Sequence, residues 1–325
     1  SQPLSTIFNS TFLTTLLFLA GFGFIYWLQG KYEMVLSNGK KPFVSKLMDF
    51  AVPSALLVVL YSAFYLEIEY FFSKLYHASE LNIKAEDGYE MTHYNYNLLD
   101  LQEVWLIIYS LVFVSLLSLF NTFKLKNRIL GITTLVLGIM VAGVFLTGGL
   151  YILSELRDNL LNGELKEYYN ITNYNLWIRY VAFAFFGLLI VSNYKLIRQA
   201  FMRINFNIPF ELLTHLSILW VLSSELINWM AIGESDQSYK LGLSILWGIY
   251  ALVLIILGIW KNKKYLRIAA IALFGVTLVK LFFYDIASLN TISKTIVFVS
   301  LGLLLLVISF LYNKYKHKIT DENEA

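Results

Sequence analysis

Long blocks of apolar residues, each about as long as a membrane-spanning helix, recur along this chain. The clearest runs from Leu241 to Trp260 without a charged side chain. About 20 helical residues, at ~1.5 Å each, cross the ~30 Å hydrocarbon layer of a bilayer. A soluble fold of 325 residues that is 58% hydrophobic and 14% charged, with mean hydropathy +0.64, would leave too much apolar surface in water. The sequence therefore predicts an all-α, polytopic membrane helix bundle.

The loops between the apolar blocks alternate in charge. Lysine and arginine collect at residues 31–46, 124–128, 195–203, 261–267 and 314–318, and aspartate and glutamate at 80–100, 158–167 and 234–236. The positive-inside rule places the basic loops in the cytoplasm, so the N-terminus is predicted outside and the C-terminus inside. Nine transmembrane helices satisfy this alternation. The predicted spans are 11–29, 48–72, 102–123, 129–153, 175–197, 209–231, 241–260, 267–288 and 294–312.

The spans also group into hairpins of one kind. Each span that runs outward ends near an acid, and each returning span begins beside aromatic residues and ends in a basic cluster. This pattern predicts tandem helical-hairpin repeats. The alternative is that any protein with this topology carries acids outside and bases inside. The first span resembles the returning half of a further hairpin. Residues 1–325 are therefore expected to be a single transmembrane domain, the C-terminal part of a longer membrane protein, with residues 314–325 as a cytoplasmic tail.

Seven charged residues are expected to be buried or half-buried, all of them in the outer half of the membrane. Each costs a few kcal/mol at such depth, so intramembrane charges usually pair or line a wet cavity. They can form an outward-facing binding pocket, or they can be ion pairs that fix helix packing. These candidate binding residues are Glu67, Glu69, Glu155, Arg179, Glu225, Lys280 and Asp285.

Two pairings follow from depth along the helices. Lys280 and Asp285 are five residues apart, which turns them about 140° from each other on a helix, so they are poor partners. Glu225 lies at a depth similar to that of Lys280, about 9 Å below the outer end of its helix. We therefore predict a Glu225–Lys280 ion pair or a shared polar cavity. Arg179 is predicted to pair with Glu155 or Glu67.

Other residue types indicate no cofactor and no metal site. The chain has no cysteine, which excludes disulfides and thiolate ligands. His77 and His93 share an acidic loop but lack metal-ligand spacing, and His215 is expected to be a hydrogen-bonded packing residue. The glycines of the fourth span are expected to allow close helix contact. They are Gly131, Gly138, Gly143, Gly148 and Gly149.

A resemblance to a known family rests on a set of residues in the C-terminal third of the chain. They are Ser224, Glu225, Ser244, Trp247, Gly258, Arg267, Lys280, Asp285, Gly302 and Tyr312. Through them this part of the chain resembles a bacterial family of predicted membrane proteins, the domain of unknown function 2339. The resemblance is clearest over the last 100 residues or so and weaker upstream, and it departs at Lys294, where such sequences tend to carry arginine nearby. It implies a multi-pass protein of the bacterial cytoplasmic (inner) membrane, often part of a longer chain, with no established activity.

Three functions fit these observations. A transporter or flippase-like carrier would use the charged pocket to bind a lipid or polar small molecule at the outer leaflet. An envelope scaffold would use the charges only to hold the bundle. A membrane enzyme would use Glu225 or Asp285 as a base on a lipid-linked substrate, but the sequence shows no motif of nucleophile, base and orienting group. The lipid bilayer is the expected partner, and nothing indicates nucleic acid.

The charge alternation predicts which loops a membrane-impermeant thiol reagent reaches. Because the chain lacks cysteine, single cysteines introduced near Asp87 and near Lys263 report on their own sites. On intact cells we expect labelling near Asp87 and protection near Lys263. The reverse pattern would contradict the predicted orientation.

Overall fold

The computed structural model describes residues 9–36, 43–84, 90–161, 163–233, 239–281, 283 and 291–320, and most of them are helical. Two short strands, β1 (Leu81–Lys84) and β2 (Glu90–His93), form an antiparallel hairpin. The prediction of an all-α membrane helix bundle is confirmed. The α-helices are α1 (Ser10–Leu36), α2 (Phe43–Ala78), α3 (Asn97–Phe120), α4 (Arg128–Val144), α5 (Leu150–Leu161), α6 (Tyr174–Ile197), α7 (Asn207–Ile232), α8 (Tyr239–Trp260), α9 (Lys264–Lys280) and α10 (Thr291–Thr320).

Seven helices within the described residues are long and apolar enough to cross a membrane, and they coincide with the first seven predicted spans. The eighth predicted span covers α9 and then residues outside the described set. In α10 the apolar segment Lys294–Val307 is shorter than a full span. The count of nine therefore stays a prediction. The seven are Ser10–Leu28, Ala51–Ala78, Asn97–Leu125, Arg128–Leu161, Tyr174–Ile197, Asn207–Ile232 and Tyr239–Trp260.

The chain divides into two compact units. The first comprises Ser1–Leu125 and Ile132–Asn193, and the second comprises Lys126–Gly131 and Tyr194–Ala325. In the first unit α2 packs against α1 and α3, and α3 packs against α5. A π-helical turn, Phe145–Gly149, joins α4 to α5. The fully buried Phe145 ring lies 4.7 Å from the ring of Phe186 on α6, so aromatic packing ties α6 to this turn.

A buried amide cluster joins three helices of the first unit at the predicted outer side. The Asn175 Nδ2 group donates to Asn97 Oδ1 at 2.6 Å and to the Leu156 carbonyl at 2.9 Å. The Asn159 Nδ2 group donates to Asp100 Oδ2 at 3.0 Å. Hydrocarbon offers these groups no partners, so their mutual bonds fix the ends of α3, α5 and α6 against each other.

The β-hairpin lies beside this end of the first unit. Leu81 pairs with His93, and the Thr92 hydroxyl donates to Asn82 Oδ1 at 2.8 Å. The Tyr169 hydroxyl donates to the Ser79 carbonyl at 2.9 Å, which ties the loop before α6 to the end of α2. The loop between α2 and α3 is thus built as an ordered cap over its described residues.

In the second unit α8 packs against α7, α9 and α10. Its core contains Leu219 of α7, Leu254 and Ile255 of α8, and Leu266 and Ala270 of α9. Tyr250 and Leu254 on α8, and Leu266 and Ala270 on α9, are each four residues apart, so each of these two helices presents one apolar stripe to its neighbours.

A tight turn brings α8 and α9 together. Asn262 adopts the left-handed conformation with φ 51°. The Lys263 N–H donates to the Gly258 carbonyl at 2.8 Å and the Asn262 N–H to the Ile259 carbonyl at 3.2 Å. These two bonds and the left-handed residue define a Schellman motif, which ends α8 and lets α9 start at once.

The predicted role of the glycines of the fourth span holds at some positions and is wrong at others. A methyl group at Gly138 would clash with the Asn193 side-chain nitrogen, and one at Gly149 would meet the Phe145 ring at 3.0 Å. Gly143 and Gly148 have no described atom within 4 Å of that position. Gly143 is exposed and Gly148 is half-buried, and at neither position does a described atom approach the place that a side chain would take.

The helix α9 approaches α8 closely at Gly258, and replacement of this glycine tests the packing. A methyl group there would lie 3.0 Å from the Arg267 backbone nitrogen, which cannot move without shifting α9. We expect Gly258→Ala to lower the free energy of unfolding by about 1–3 kcal/mol. The measurement is thermal unfolding of the purified protein.

Gly275 of α9 is the matched control, because a methyl group there meets no described atom within 4 Å. Gly275→Ala is expected to be neutral or to stabilise by up to about 1 kcal/mol. Equal destabilisation by both variants would show that Gly258 has no special packing role.

Candidate functional site

The structure describes six of the seven candidate residues. Glu67, Glu69, Glu155 and Arg179 belong to the first unit. Glu225 and Lys280 belong to the second unit, and Asp285 lies outside the described residues.

Glu67 is held by the start of α1. The half-buried carboxylate accepts a bond from Asn9 Nδ2 at 2.7 Å. The Oδ1 atom of Asn9 accepts the Phe12 N–H at 2.7 Å, so Asn9 also caps α1. The Phe12 ring meets Phe64 edge-to-face, with centroids 5.3 Å apart. The single buried side chain of Asn9 thus caps the start of α1 and holds the carboxylate of Glu67 on the neighbouring helix.

Glu67 lines a groove between α2 and α3 with a volume of about 730 Å³, here called the α2–α3 groove. On α2 the lining residues follow a spacing of three and four, so they share one helical face. Apart from Glu67, Trp105 and Tyr174, the walls are purely hydrocarbon. The lining residues are Phe64, Glu67, Ile68, Phe71, Phe72, Leu75, Leu98, Leu101, Trp105 and Tyr174.

The wall opposite α2 is fixed by a second hydrogen bond. The Trp105 Nε1–H donates to the Tyr174 hydroxyl at 3.0 Å, which joins α3 to the first residue of α6. Next to Tyr174, Asn175 belongs to the buried amide cluster. The groove therefore has rigid polar anchors near both walls and an apolar interior. Sequence reasoning found Glu67 but missed Trp105, because an aromatic near a helix end is typical of any membrane interface.

The other first-unit candidates have different surroundings. Glu69 is exposed, and Glu155 is half-buried and interacts with Tyr151, one turn earlier. Arg179 is 1% exposed, with its guanidinium 5.4 Å from the centre of the Phe183 ring. That distance permits a cation–π interaction. The predicted pairing of Arg179 with Glu155 or Glu67 stays a prediction.

Lys280 joins the end of α9 to the start of α8. Its Nζ atom donates to the Ser244 hydroxyl at 2.8 Å and to the Lys240 carbonyl at 2.9 Å. Ser244 is 1% exposed, so this ammonium reaches into the interior of the second unit. One turn further along α8, the Trp247 Nε1–H donates to the Ser223 hydroxyl of α7 at 2.9 Å. The predicted Glu225–Lys280 pair stays a prediction.

A polar site that sequence reasoning missed lies at the opposite end of the second unit. The Lys263 Nζ donates to both carboxylate oxygens of Glu211, at 2.8 and 2.5 Å. The Tyr265 hydroxyl donates to Glu211 Oε2 at 2.8 Å. Burial opposes the shift, but the bonds with Glu211 and Tyr265 raise the pKa of Lys263. The signal in the sequence was an acid one turn inside an apolar span and next to a basic loop.

His215 lies one turn further into α7. Its Nδ1 atom and the Tyr250 hydroxyl share a hydrogen bond of 2.9 Å, and that hydroxyl also lies 3.1 Å from the His215 carbonyl. The prediction of a hydrogen-bonded packing histidine is confirmed. Among the described residues no three His, Asp or Glu side chains are arranged to hold a metal ion.

A known protein family matches nearly the whole of this chain. A family described as predicted membrane protein (DUF2339) matches residues 4–315. The chain belongs to the DUF2339 family. The resemblance expected for the C-terminal third thus extends over nearly the whole chain. No curated protein and no solved structure gives a significant match.

Several residues that carry the DUF2339 resemblance meet in the second unit. Ser244 receives the bond from Lys280, and a methyl group at Gly258 would clash with Arg267. Trp247 bonds to Ser223, the residue before Ser224. These residues are distant in sequence but join α7, α8 and α9, so part of the family pattern is explained by helix packing.

The Glu211–Lys263 pair should be measurable in stability. Lys263→Met leaves a partly buried carboxylate without its cation, and we expect a loss of about 1–3 kcal/mol. The exposed neighbour gives the control Lys264→Met, which should change stability little. The unfolding temperatures of the two variants and of the wild type are measured in the same detergent and compared.

The same pair predicts a dependence on alkaline pH. The pKa of Lys263 is higher in the folded state, so its contribution is fully present below the ordinary value of 10.5 and is lost as pH rises through the raised value. We therefore expect the wild-type unfolding temperature to fall above that pH and to approach that of Lys263→Met. Parallel curves for the two proteins would contradict the assignment.

Proposed function

We propose that this protein is a carrier, flippase-like in action, for an amphiphilic lipid-like molecule that enters the α2–α3 groove. The observation that carries the proposal is the groove itself, about 730 Å³ of mainly apolar space with one carboxylate in its wall. Sites for small organic ligands commonly measure about 300–1,000 Å³ and combine apolar walls with a few polar groups.

The chemistry of the wall selects the class of ligand. Phe64, Phe71 and Leu75 offer hydrocarbon contact to an acyl chain, and each remains partly exposed. Glu67 accepts hydrogen bonds, so it favours a headgroup that carries an ammonium or hydroxyl donor over a purely anionic one. A phospholipid with an amino headgroup combines both features.

The same observations weigh against the two other functions. A scaffold does not require a groove of this size. The helices α2 and α3 nevertheless form one between them. An enzyme needs a base near a nucleophile and an orienting group. The described lining residues offer one acid and no serine, cysteine or histidine.

We also propose a cellular location and an orientation for the protein. The family description and the seven long apolar helices support a multi-pass membrane protein. The Lys- and Arg-rich loops support an N-terminus outside and a C-terminus in the cytoplasm, within the bacterial inner membrane.

Transport of a fluorescent phosphatidylethanolamine tests the proposal. The full chain is reconstituted into phosphatidylcholine vesicles that contain NBD-labelled phosphatidylethanolamine, and dithionite reduces the label on the outer leaflet only. We expect wild-type protein to let the inner pool reach the reagent. Glu67→Gln still accepts the Asn9 bond but loses the charge, and it should weaken transport about tenfold.

Two tryptophan variants, one inside the groove and one outside it, test whether the lipid passes through the groove. Ile68→Trp places an indole in the groove and should abolish transport, whereas Leu66→Trp on the exposed side of α2 should not. Transport no faster than in empty vesicles would refute a carrier for this lipid class. Unimpaired transport by Ile68→Trp would refute the groove as its path.

A further inference from the structure

The connection between α6 and α7 forms a second concave site, on the predicted cytoplasmic side and independent of the α2–α3 groove. Its volume is about 720 Å³, and its polar lining residues are Arg198, Gln199, Arg203, Asn205 and Asn207. All of them belong to the second unit. Two arginines and two asparagines face one space, and no described acid lines it.

The backbone holds this loop in a defined shape. The Met202 side chain is fully buried, and its N–H donates to the Gln199 carbonyl at 3.1 Å. Arg203 follows in the left-handed conformation with φ 51°. A non-glycine residue is strained in this conformation, and such strain often marks functional positions. The buried methionine thus fixes the loop at Arg203.

Arg198 is ordered by an aromatic ring. Its guanidinium lies 4.1 Å from the centre of the Tyr194 ring, within cation–π range. Stacking restricts the long side chain and leaves the N–H groups of the planar guanidinium for a ligand. Arginine forms bidentate bonds to phosphate oxygens with a geometry that lysine lacks.

The surrounding charge is positive. Lys126, Arg128 and Lys195 belong to the same compact unit and are exposed. The nearest acid along the chain, Glu211, already accepts bonds from Lys263 and Tyr265. The field at the loop is therefore not cancelled by that carboxylate.

The start of α7 adds backbone donors. Its cap residue is Phe206, and no side chain caps the helix there. The N–H groups of Asn207 and Ile208, the first two residues of α7, point away from the helix end and favour anions, whereas Pro209 has no N–H. Asn207 also lines the concave site.

From this combination we infer that the α6–α7 loop binds a phosphate group, held by the guanidinium groups of Arg198 and Arg203 and by the first turn of α7. The phosphate belongs either to the headgroup of an anionic phospholipid or to free inorganic phosphate. The loop joins two predicted spans on the basic side, so both sources reach it.

Thermal unfolding of the full chain in lipid vesicles tests the inference. One arm adds inorganic phosphate to protein in phosphatidylcholine vesicles, against chloride at equal ionic strength. The other replaces part of the phosphatidylcholine with phosphatidylglycerol. A rise in unfolding temperature in the lipid arm alone identifies a headgroup site, and a rise in the phosphate arm identifies a site for the free anion.

The arginines are then removed one at a time. Arg198→Gln and Arg203→Gln should each weaken the ligand response about tenfold, and the double variant should lose it. Lys264→Gln removes an exposed cation elsewhere in the same unit and should keep the full response. Arg203→Gly removes the charge where glycine adopts the backbone most readily, so it should fold at least as well and bind less.

Three results would overturn the inference. The first is a wild-type protein that responds to neither ligand. The second is an Arg203→Gly or double variant that responds like wild type. The third is an equal loss in Lys264→Gln, which would reduce the effect to general surface charge.

Discussion

Hydrocarbon supplies no hydrogen-bond partner, so a polar group inside a span is stabilised when another part of the chain bonds to it. Glu67 receives a bond from the cap of α1, and Lys280 reaches a buried serine and a carbonyl on α8. Asn97 and Asn175 bond to each other. Each of these links joins two helices. The few polar side chains in the spans therefore decide which helices are neighbours, while the apolar residues fill the space between them.

This constraint also explains how an open groove persists next to Glu67. The Asn9–Glu67 bond ties α1 to α2, and the Trp105–Tyr174 bond ties α3 to the start of α6. With both walls anchored elsewhere, α2 and α3 need not close on each other along the groove. A membrane lipid can fill such a space without cost to the fold, because acyl chains solvate phenylalanine and leucine side chains as well as protein does. The groove is thus compatible with stability and accessible to a ligand.

The sequence predicts some of these features and not others, for identifiable reasons. Hydropathy places the ends of the first seven spans to within eight residues, because span length is set by bilayer thickness. Depth along a helix predicts that Glu67 and Lys280 need partners. It cannot name Asn9, 58 residues from Glu67, or Ser244, 36 residues from Lys280. Those partners depend on helix rotation and crossing, which short-range periodicity does not fix.

The sites at the two ends of the second unit differ in what the sequence reveals about them. Lys280 is conspicuous because it interrupts an apolar run. Glu211 is not, because a carboxylate beside a basic loop resembles an ordinary surface residue. Only the turn at Asn262, which returns α9 alongside α8, brings Lys263 to Glu211. The chemistry at this end therefore depends on backbone geometry that hydropathy does not predict.

Left-handed residues link this local geometry to the predicted hairpin repeat. Lys126, Arg203 and Asn262 have φ of 50° or 51°, and each lies in a basic loop before a helix that is predicted to run outward. Asparagine tolerates this conformation, whereas lysine and arginine adopt it at a cost of about 1–2 kcal/mol. A chain under no other requirement would place glycine there. Lys126 and Arg203 therefore place basic side chains at turn positions that glycine would occupy with less strain. Asn262 is followed at once by Lys263, which supplies the charge at the third turn. Each of the three turns thus carries a basic residue at the left-handed position or directly after it. Such similarity is expected if the hairpins are repeats of a common unit.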